Sequence, residues 1–385
     1  MNKLGVIIPV FNNANYLTKC IESVIQQKSI DMCVIVDDGS TDDSGNIADK
    51  FALENEDIKV IHQTNQGVMA AIKRGVKEID SEYITIVDSD DWVEHETYCS
   101  MMIYMEQNVD IIDFPMSRFL SDTSRYVEAG GRKNGVYNKK KIREEIFDTM
   151  IWDNKVGGHG LNPSLCNKIF KKDLFKKYVE IAPTLIGNYG QDMVILYPML
   201  DECNSIVFSE YGRYIHRIKC QEIAPYIASK GFYRNLLEIY DYLSKCFKNN
   251  PVIVKQLDFH FAETARLHIK IYNSDCKKIV YFLFPFHLFP QGSRIVLYGA
   301  GVVGKEYHMQ IEATGYCQIV AWVDQRKNVS CDSYQIYSPE DINKFKFDFV
   351  VIAVNDENMA NEIKTRVEDL QVELDRIIWC ITSVY

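Results

Sequence analysis

Four times between Lys3 and Asp88 a short apolar run gives way to a segment of different period. "KLGVIIPVF", "MCVIVDD", "IKVIHQ" and "YITIVD" are short, mainly apolar segments rich in Val and Ile. Between them, Leu17, Ile21, Val24 and Ile25, and later Val68, Ile72, Val76 and Ile79, recur at the spacing of one helix face. Strands too uniformly apolar to keep a wet face, alternating with amphipathic helices, predict a parallel α/β sheet covered on both sides. Ligands of such sheets bind beyond the carboxyl ends of the strands. Asp37, Asp38, Asp88, Asp90 and Asp91 all fall at those ends.

The alternation does not fill the chain. With 385 residues, two or three domains are expected. From about residue 110 to 226 the pattern loosens into Gly- and Asn-containing loops ("GGRKNGVYN", "KVGGHGLNPS"), of a length that usually serves binding. Two helical faces follow, Phe232, Leu236, Tyr240, Leu243 and Phe247, then Leu257, Phe261, Ala265, Ile269 and Tyr272. After "FPQGS" strands and helices alternate again. The expected divisions are 1–225, a helical connector over 226–290, and a smaller α/β unit over 291–385.

An apolar content of 47% suffices for packed cores, and a net charge of −10 argues against nucleic-acid binding through a basic surface. Eleven cysteines without C-x-x-C pairs suggest reduced thiols in a cytosolic protein. The opening "MNKLGVIIPVF" lacks the features of a signal peptide. The apolar run Ile279–Phe289 falls well short of the ~20 residues a span needs, and Pro285 interrupts it. Either it is buried, or it rests on a membrane surface with Lys277, Lys278 and Arg294 as partial basic flanks.

The stretch "YITIVDSDDW" crowds three carboxylates at a strand end. Strand residues i and i+2 point to the same side, so Asp88 and Asp90 are expected to converge on one object, with Ser89 turned away. Two such oxygens suit a hard divalent cation that takes further ligands from a diphosphate. Alternatively the acids are solvated at a turn, with Asp91 capping a helix that begins near Trp92.

"VIIPVFNNANYLTKCIESVIQQ", "VIVDDGSTDDS", "NQGVMAAIKRGV" and "ITIVDSDDW", in that order, resemble a family-2 glycosyltransferase of GT-A fold. The resemblance is strong over residues 3–100 and weaker, through "NKIFKKDLF" and "GQDMVILYPML", to about 220. It implies that Pro9 and Phe11 wall a nucleobase, that Asp38 accepts from a uracil-type imide N–H, and that Gly67 borders the donor nucleotide. It also implies that Asp88 and Asp90 hold Mg²⁺ or Mn²⁺ against the diphosphate. Asp192 is then the base that takes the acceptor hydroxyl proton in an inverting transfer, although an Asp there would also cap its helix.

Two positions depart from the family pattern. Ile72 stands where an Arg is common, leaving Lys73 or Arg74 as substitutes, and Gln191 replaces the Glu that usually precedes the base. Gln191 is expected to orient Asp192 or a substrate hydroxyl. His216 and Arg217 fall near a segment that contacts donor phosphate in relatives, Asp91 is a further candidate contact, and Lys168 is a candidate acceptor contact. His159 has no assigned role.

In "RIVLYGAGVVGKEY", Gly299, Gly301 and Gly304 sit between a strand and a helix, and Asp324 ends the next strand. That is the context of an NAD-binding fingerprint. The same glycines also suit a tight turn with close packing. The unit resembles small Rossmann-like domains attached to bacterial surface-polysaccharide enzymes, where a scaffold, oligomerisation or regulatory role is expected. The expected function is a cytosolic, metal-assisted glycosyltransferase moving a sugar from a nucleotide-diphosphate donor, UDP-linked, to a glycan or polyprenyl-linked acceptor. Peripheral membrane contact fits such an acceptor. The rival readings are an NAD-dependent oxidoreductase or epimerase and a silent sugar-binding module.

Overall fold

The computed structural model describes residues 3–121, 124–127, 132–155, 158–185, 189–218, 231–272, 282–325, 334–380 and 382–383. The chain forms two compact units, Met1–Glu222 with Glu238–Asp258, and Ile223–Leu237 with Phe259–Tyr385. The helical segment expected as a separate connector is thus divided between them.

In the first unit the expected alternation is realised as β1 (Leu4–Val10), α1 (Ala14–Ile25), β2 (Met32–Asp37), α2 (Ser44–Glu54), β3 (Ile58–His62), α3 (Val68–Glu78) and β4 (Tyr83–Ile86). Strands β3-β2-β1-β4 run parallel, and β1 is buried along its whole length. Reciprocal glycines set α3 down hard on β1. A Cβ on Gly5 would lie 2.4 Å from Ile79, and one on Gly75 would lie 2.6 Å from Ile7. This close approach seats the start of α3 over the carboxyl end of β1. Val68, expected to face the core, is 39% exposed there, whereas Ile72 and Val76 are buried.

Beyond β4 the sheet turns mixed, which the sequence pattern did not foretell. The next elements are β5 (Trp92–Val93), α4 (Thr97–Glu106), β6 (Ile111–Asp113), β7 (Met116–Ser121), β8 (Ser124–Val127), β9 (Gly135–Asn138) and β10 (Lys168–Lys171). They are followed by α5 (Lys172–Ile181), α6 (Gln191–Glu202), β11 (Ser205–Phe208) and β12 (Tyr214–Arg217). Strand β10 pairs antiparallel to both β4 and β6, and the eight-stranded order is β3-β2-β1-β4-β10-β6-β11-β9. A second sheet, β5-β12-β7-β8, carries Trp92, so the helix expected to start near that residue is a strand instead.

Helices α7 (Phe232–Cys246) and α8 (Pro251–Tyr272) bury Phe232, Leu236, Leu243, Leu257, Phe261 and Ala265 as their periodicity predicts, with Phe247 buried just past α7 and Tyr240 partly buried; the side chains of Ile269 and Tyr272 lie outside those described. The second unit continues with β13 (Phe282–Leu283), β14 (Arg294–Tyr298), α9 (Val302–Thr314), β15 (Gln318–Val323), β16 (Ile336–Tyr337), β17 (Phe349–Ile352), α10 (Glu357–Asp369), β18 (Ile377–Ile378) and β19 (Thr382–Ser383). Its five-stranded sheet, β16-β15-β14-β17-β18, is wholly parallel. Residues 279–281 of the apolar run lie outside the described residues. Its remainder buries Phe284, Phe286 and Phe289 against aromatic partners such as Tyr307, Tyr316 and Phe349. Among the described residues no helix is long and apolar enough to cross a membrane.

Candidate active site

The extended backbone of β4 ends at Ile86, so strand alternation does not orient Asp88 and Asp90. They lie in a tight turn closed by the Asp91 N–H donating to the Asp88 carbonyl (2.9 Å). Both nevertheless border one cavity of about 420 Å³, together with Pro9, Phe11, Asp38 and Gly67. Asn13 Nδ2 donates to Ser89 Oγ at 2.6 Å, which fixes the middle of the turn to the start of α1.

Asp38 is almost fully buried and well occupied. Its Oδ1 accepts from Gln63 Nε2 (2.7 Å) and the Gln66 N–H (2.9 Å), and its Oδ2 from the Gly67 N–H (2.7 Å). A carboxylate offers about four lone-pair sites, so one remains for a further donor. Gly67 has φ +91 and immediately precedes α3, a left-handed conformation that admits glycine readily.

Asp91 does not cap a helix. Its carboxylate is 1% exposed and accepts from Tyr214 Oη (2.8 Å), His216 Nδ1 (3.0 Å) and the Arg217 N–H (2.7 Å). Tyr214 Oη in turn accepts from the Asp88 N–H at 3.1 Å. The acidic turn is therefore clamped to β12, and Asp91 and His216 serve that clamp. Arg217 Nε donates to the Asp90 carbonyl (2.9 Å), and its guanidinium stacks on Tyr16 and Trp92. The pairing with Asp91 outweighs burial and raises the His216 pKa.

A second cavity of about 260 Å³ continues from the first, with Val68 and Asp88 common to both. Met69, Ile72 and Ile86 give it an apolar side; Cys166, Gln191 and Asp192 give it a polar one. From α3 the cavities take Val68, Met69, Ala71 and Ile72, while Lys73 is not among the residues that border them and Arg74 pairs with Glu78 (2.9 Å). A third cavity of about 720 Å³ opens beyond, and shares His159, Pro163 and Asp192 with the second. Asp38, Asp88 and Asp192 thus border a row of three adjoining cavities.

The electrostatics along this row are unusual for surface acids. Burial, with Asp91 and Asp90 adding repulsion, pushes the Asp88 carboxyl up to about 7, and the Cys166 thiol 3.1 Å from its Oδ2 opposes the shift. Burial likewise pushes Asp192, in the first turn of α6, up to about 6, against the Leu165 N–H and the Lys168 charge. Asp88 and Asp90 border the same cavity and are the carboxylates there that could give oxygens to a divalent cation, although among the described residues no cluster of three or more His, Cys, Asp or Glu side chains forms a metal site by itself.

Two residues were misjudged or left unassigned by sequence reasoning. Lys168 is not an acceptor contact: it is fully buried, and its Nζ donates to the carbonyls of Asn162 (3.0 Å) and Ser164 (2.8 Å), to Asn167 Oδ1 (3.1 Å) and to Asp113 (2.9 Å). It holds Asn162, Ser164 and Asn167, which border the third cavity. His159, without a role in the sequence, stands where the second and third cavities meet. Its Nδ1 lies 3.0 Å from the Ile151 carbonyl and 2.9 Å from Tyr197 Oη, and burial lowers its pKa to about 4, so the ring is neutral. Its only sequence signal was a Gly-rich loop.

In the second unit Gly299 has φ +111, and a Cβ on Gly304 would lie 1.8 Å from the Gly299 carbonyl oxygen. Gly301 precedes α9. Asp324 accepts from the Ala300 N–H at 2.7 Å through Oδ2, so this carboxylate secures the glycine turn itself.

Residues 5–179 match the family model for glycosyl transferase family 2, and residues 291–378 match one described as C2185-like, N-terminal. The glycosyltransferase GlyA of Streptococcus pneumoniae serotype 4 is 30% identical over 57% of this chain, which spans 31% of that protein. GlyG of the same organism is 28% identical over 62% of this chain and 78% of its own length. A crystal structure of S. aureus TarS 1-349 in complex with UDP-GlcNAc aligns with a TM-score of 0.49 and 21% identity, over 71% of this chain and 74% of that one.

Proposed function

Because residues 5–179 belong to glycosyl transferase family 2, we propose that the chain transfers a sugar from a nucleotide-diphosphate donor, UDP-linked, to a hydroxyl of a glycan or lipid-linked glycan, with inversion at the anomeric carbon. One observation carries this reading: three cavities joined in a row, with Asp88 at the first junction and Asp192 at the second. The order matches the order of a donor's parts, base and ribose, then diphosphate and sugar, then acceptor.

In this reading Pro9 and Phe11 wall the base, and the remaining lone pair of Asp38 accepts the imide N–H. Asp88 and Asp90 would hold Mg²⁺ or Mn²⁺. Such an ion supplies Lewis-acid stabilisation of the leaving diphosphate when bound. Asp192 accepts the proton of the acceptor hydroxyl as that oxygen bonds to the anomeric carbon, and the bond from that carbon to the diphosphate oxygen breaks. A base with a pKa near 6 is largely ionised at neutral pH yet basic enough to take a proton in the transition state. Neutral His159 and Gln191 border the place where the acceptor oxygen must enter, which suits them to orient hydroxyls.

Calorimetric titration of UDP, and separately NAD, with and without Mn²⁺, into the wild type and Asp90→Ala tests the proposal. Metal-dependent UDP binding lost in the variant is the expected result. NAD binding without metal and no UDP signal overturns it in favour of the second unit as the active one.

A further inference from the structure

The parallel register sets Asp37 of β2 beside His62 of β3. His62 Nδ1 lies 2.9 Å from Asp37 Oδ2, and its Nε2 lies 3.0 Å from Asp49 Oδ1 on α2. A ring with a carboxylate at each nitrogen satisfies both only when both nitrogens carry hydrogen, that is, as imidazolium. One residue further along the same two strands, Gln63 holds Asp38. The end of β3 thus grips both acids of the Asp37–Asp38 pair, and His62 adds a link to α2.

The loop between β2 and α2 hangs from these links, and its first residue, Asp38, borders the first cavity. Asp37 Oδ1 accepts from the Ser40 N–H (3.0 Å). Ser40 Oγ accepts from the Asn12 N–H (3.0 Å), and Asn12 Oδ1 accepts from the Thr41 N–H (2.8 Å). Asp42 and Ser44 accept from the N–H groups of Ala14 (3.0 Å) and Asn13 (2.9 Å). Phe11, half exposed beside that cavity, is the neighbour of the chain so held.

We propose that His62 is a positioning residue for donor binding: as imidazolium it ties β2, β3 and α2 together and so fixes the loop over residues 38–44, to which Asn12, Asn13 and Ala14, the residues following Phe11, are hydrogen-bonded. The inference rests on the donor-site reading above. The charged groups facing the ring are Asp37 from β2 and Asp49 from α2, and the other cation of its own strand, Lys59, is taken by Glu78 of α3 (2.6 Å). Both carboxylates raise the His62 pKa. While Asp37 and Asp49 are ionised, the clamp is therefore complete below the ordinary histidine value of 6.5 and is lost as pH rises through the raised one.

The test is titration of UDP with saturating Mn²⁺ into the full chain, as wild type, His62→Gln and Asp49→Asn, from about pH 5.5 to about pH 8.5. Titration of the UDP phosphate is common to all three, so the quantity read is the ratio of variant to wild-type Kd at each pH. The Asp49 side chain is 54% exposed, so this variant folds even if His62→Gln does not. The expected ratio is about two- to five-fold at the acid end, shrinking towards one at the alkaline end, since half-exposed pairs are screened. A ratio of one throughout, or one that does not change with pH, overturns the inference while leaving the donor site intact. A wild type that binds no UDP at any pH overturns both.

Discussion

The thiol of Cys166 donates to Oδ2 of Asp88 across 3.1 Å, at the boundary where the first two cavities meet. Cys166 is buried and brings to this acid a donor from the segment just before β10, 78 positions away in sequence. In the proposed reading the other carboxylate oxygen is the one that would meet the cation. Cys166→Ala removes the donor, and the expected consequence is Mn²⁺-dependent UDP binding weaker by roughly five-fold, the scale of one modest hydrogen bond to a charged group. Cys166→Ser keeps a donor and should recover most of that loss. Equal binding by all three forms would show that the thiol does not orient Asp88.

Lys168 tests the border of the third cavity rather than the acids. Its ammonium is the common centre of four acceptors, one of them the Asp113 carboxylate at 2.9 Å. In Lys168→Met the stem packs as before but Asp113 loses its buried partner, a change that typically costs about 3 kcal/mol or more. Chemical denaturation should report that loss. Lys168 also holds the Asp192 carboxyl down, so its removal lets that pKa climb above about 6. The acid limb of the activity profile of the variant is then expected to move to higher pH. An unmoved limb with normal stability would mean the ammonium matters to neither.

Lys168 also marks where sequence reasoning reaches its limit. The parallel strands β1 to β4 and their helices were legible because each is a local signal, a short apolar run or a pattern of period 3.6, and the ends of such strands localise acids without further information. The arrangement of those acids was not legible. Asp91 and Asp88 differ by three positions, yet one is locked to Tyr214, His216 and Arg217 and the other borders two cavities, a distinction made by pairing across more than 120 residues. Lys168 resembled a surface cation in a basic run until β10 entered the sheet between β4 and β6 and carried it inside. His159 gave no periodic signal, because its place depends on a loop meeting Tyr197 of α6.

In the second unit, the close packing at Gly304 makes a sharp prediction. A methyl group there would collide with the Gly299 carbonyl, which already accepts from Trp322 Nε1 at 2.9 Å. Gly304→Ala must push α9 off β14, and overpacking of this kind costs about 1–3 kcal/mol or more. Calorimetric melting should show the transition lowered by several degrees. Gly301 precedes the helix, and the Lys305 N–H donates to its carbonyl, a bond that Gly301→Ala retains, so that variant is expected to melt close to the wild type. If both variants melt alike, packing is not what the glycine pattern serves.

In the proposed reading Asp192 joins stability and catalysis with opposite signs. Its folded pKa, about 6, is above the ordinary aspartate value of 3.8, so the folded chain holds this proton more tightly than the unfolded one. The stabilising contribution is present below the unfolded pKa and is lost as pH rises from there to about 6, which leaves the ionised carboxylate a net cost at neutral pH. Asp192→Asn removes that charge. At pH about 7.5 it should raise unfolding stability by up to about 3 kcal/mol, and near pH 4 by much less. Sugar transfer should fall by about 10²–10⁴-fold in the same variant, the range usual for loss of a general base. In the wild type, activity should drop tenfold per pH unit below about pH 6, as Asp192 protonates. Gains and losses of that pattern require one buried carboxylate to perform both roles. A variant that loses stability at neutral pH, or keeps its activity, shows that Asp192 serves as a helix-terminus residue and not as the base.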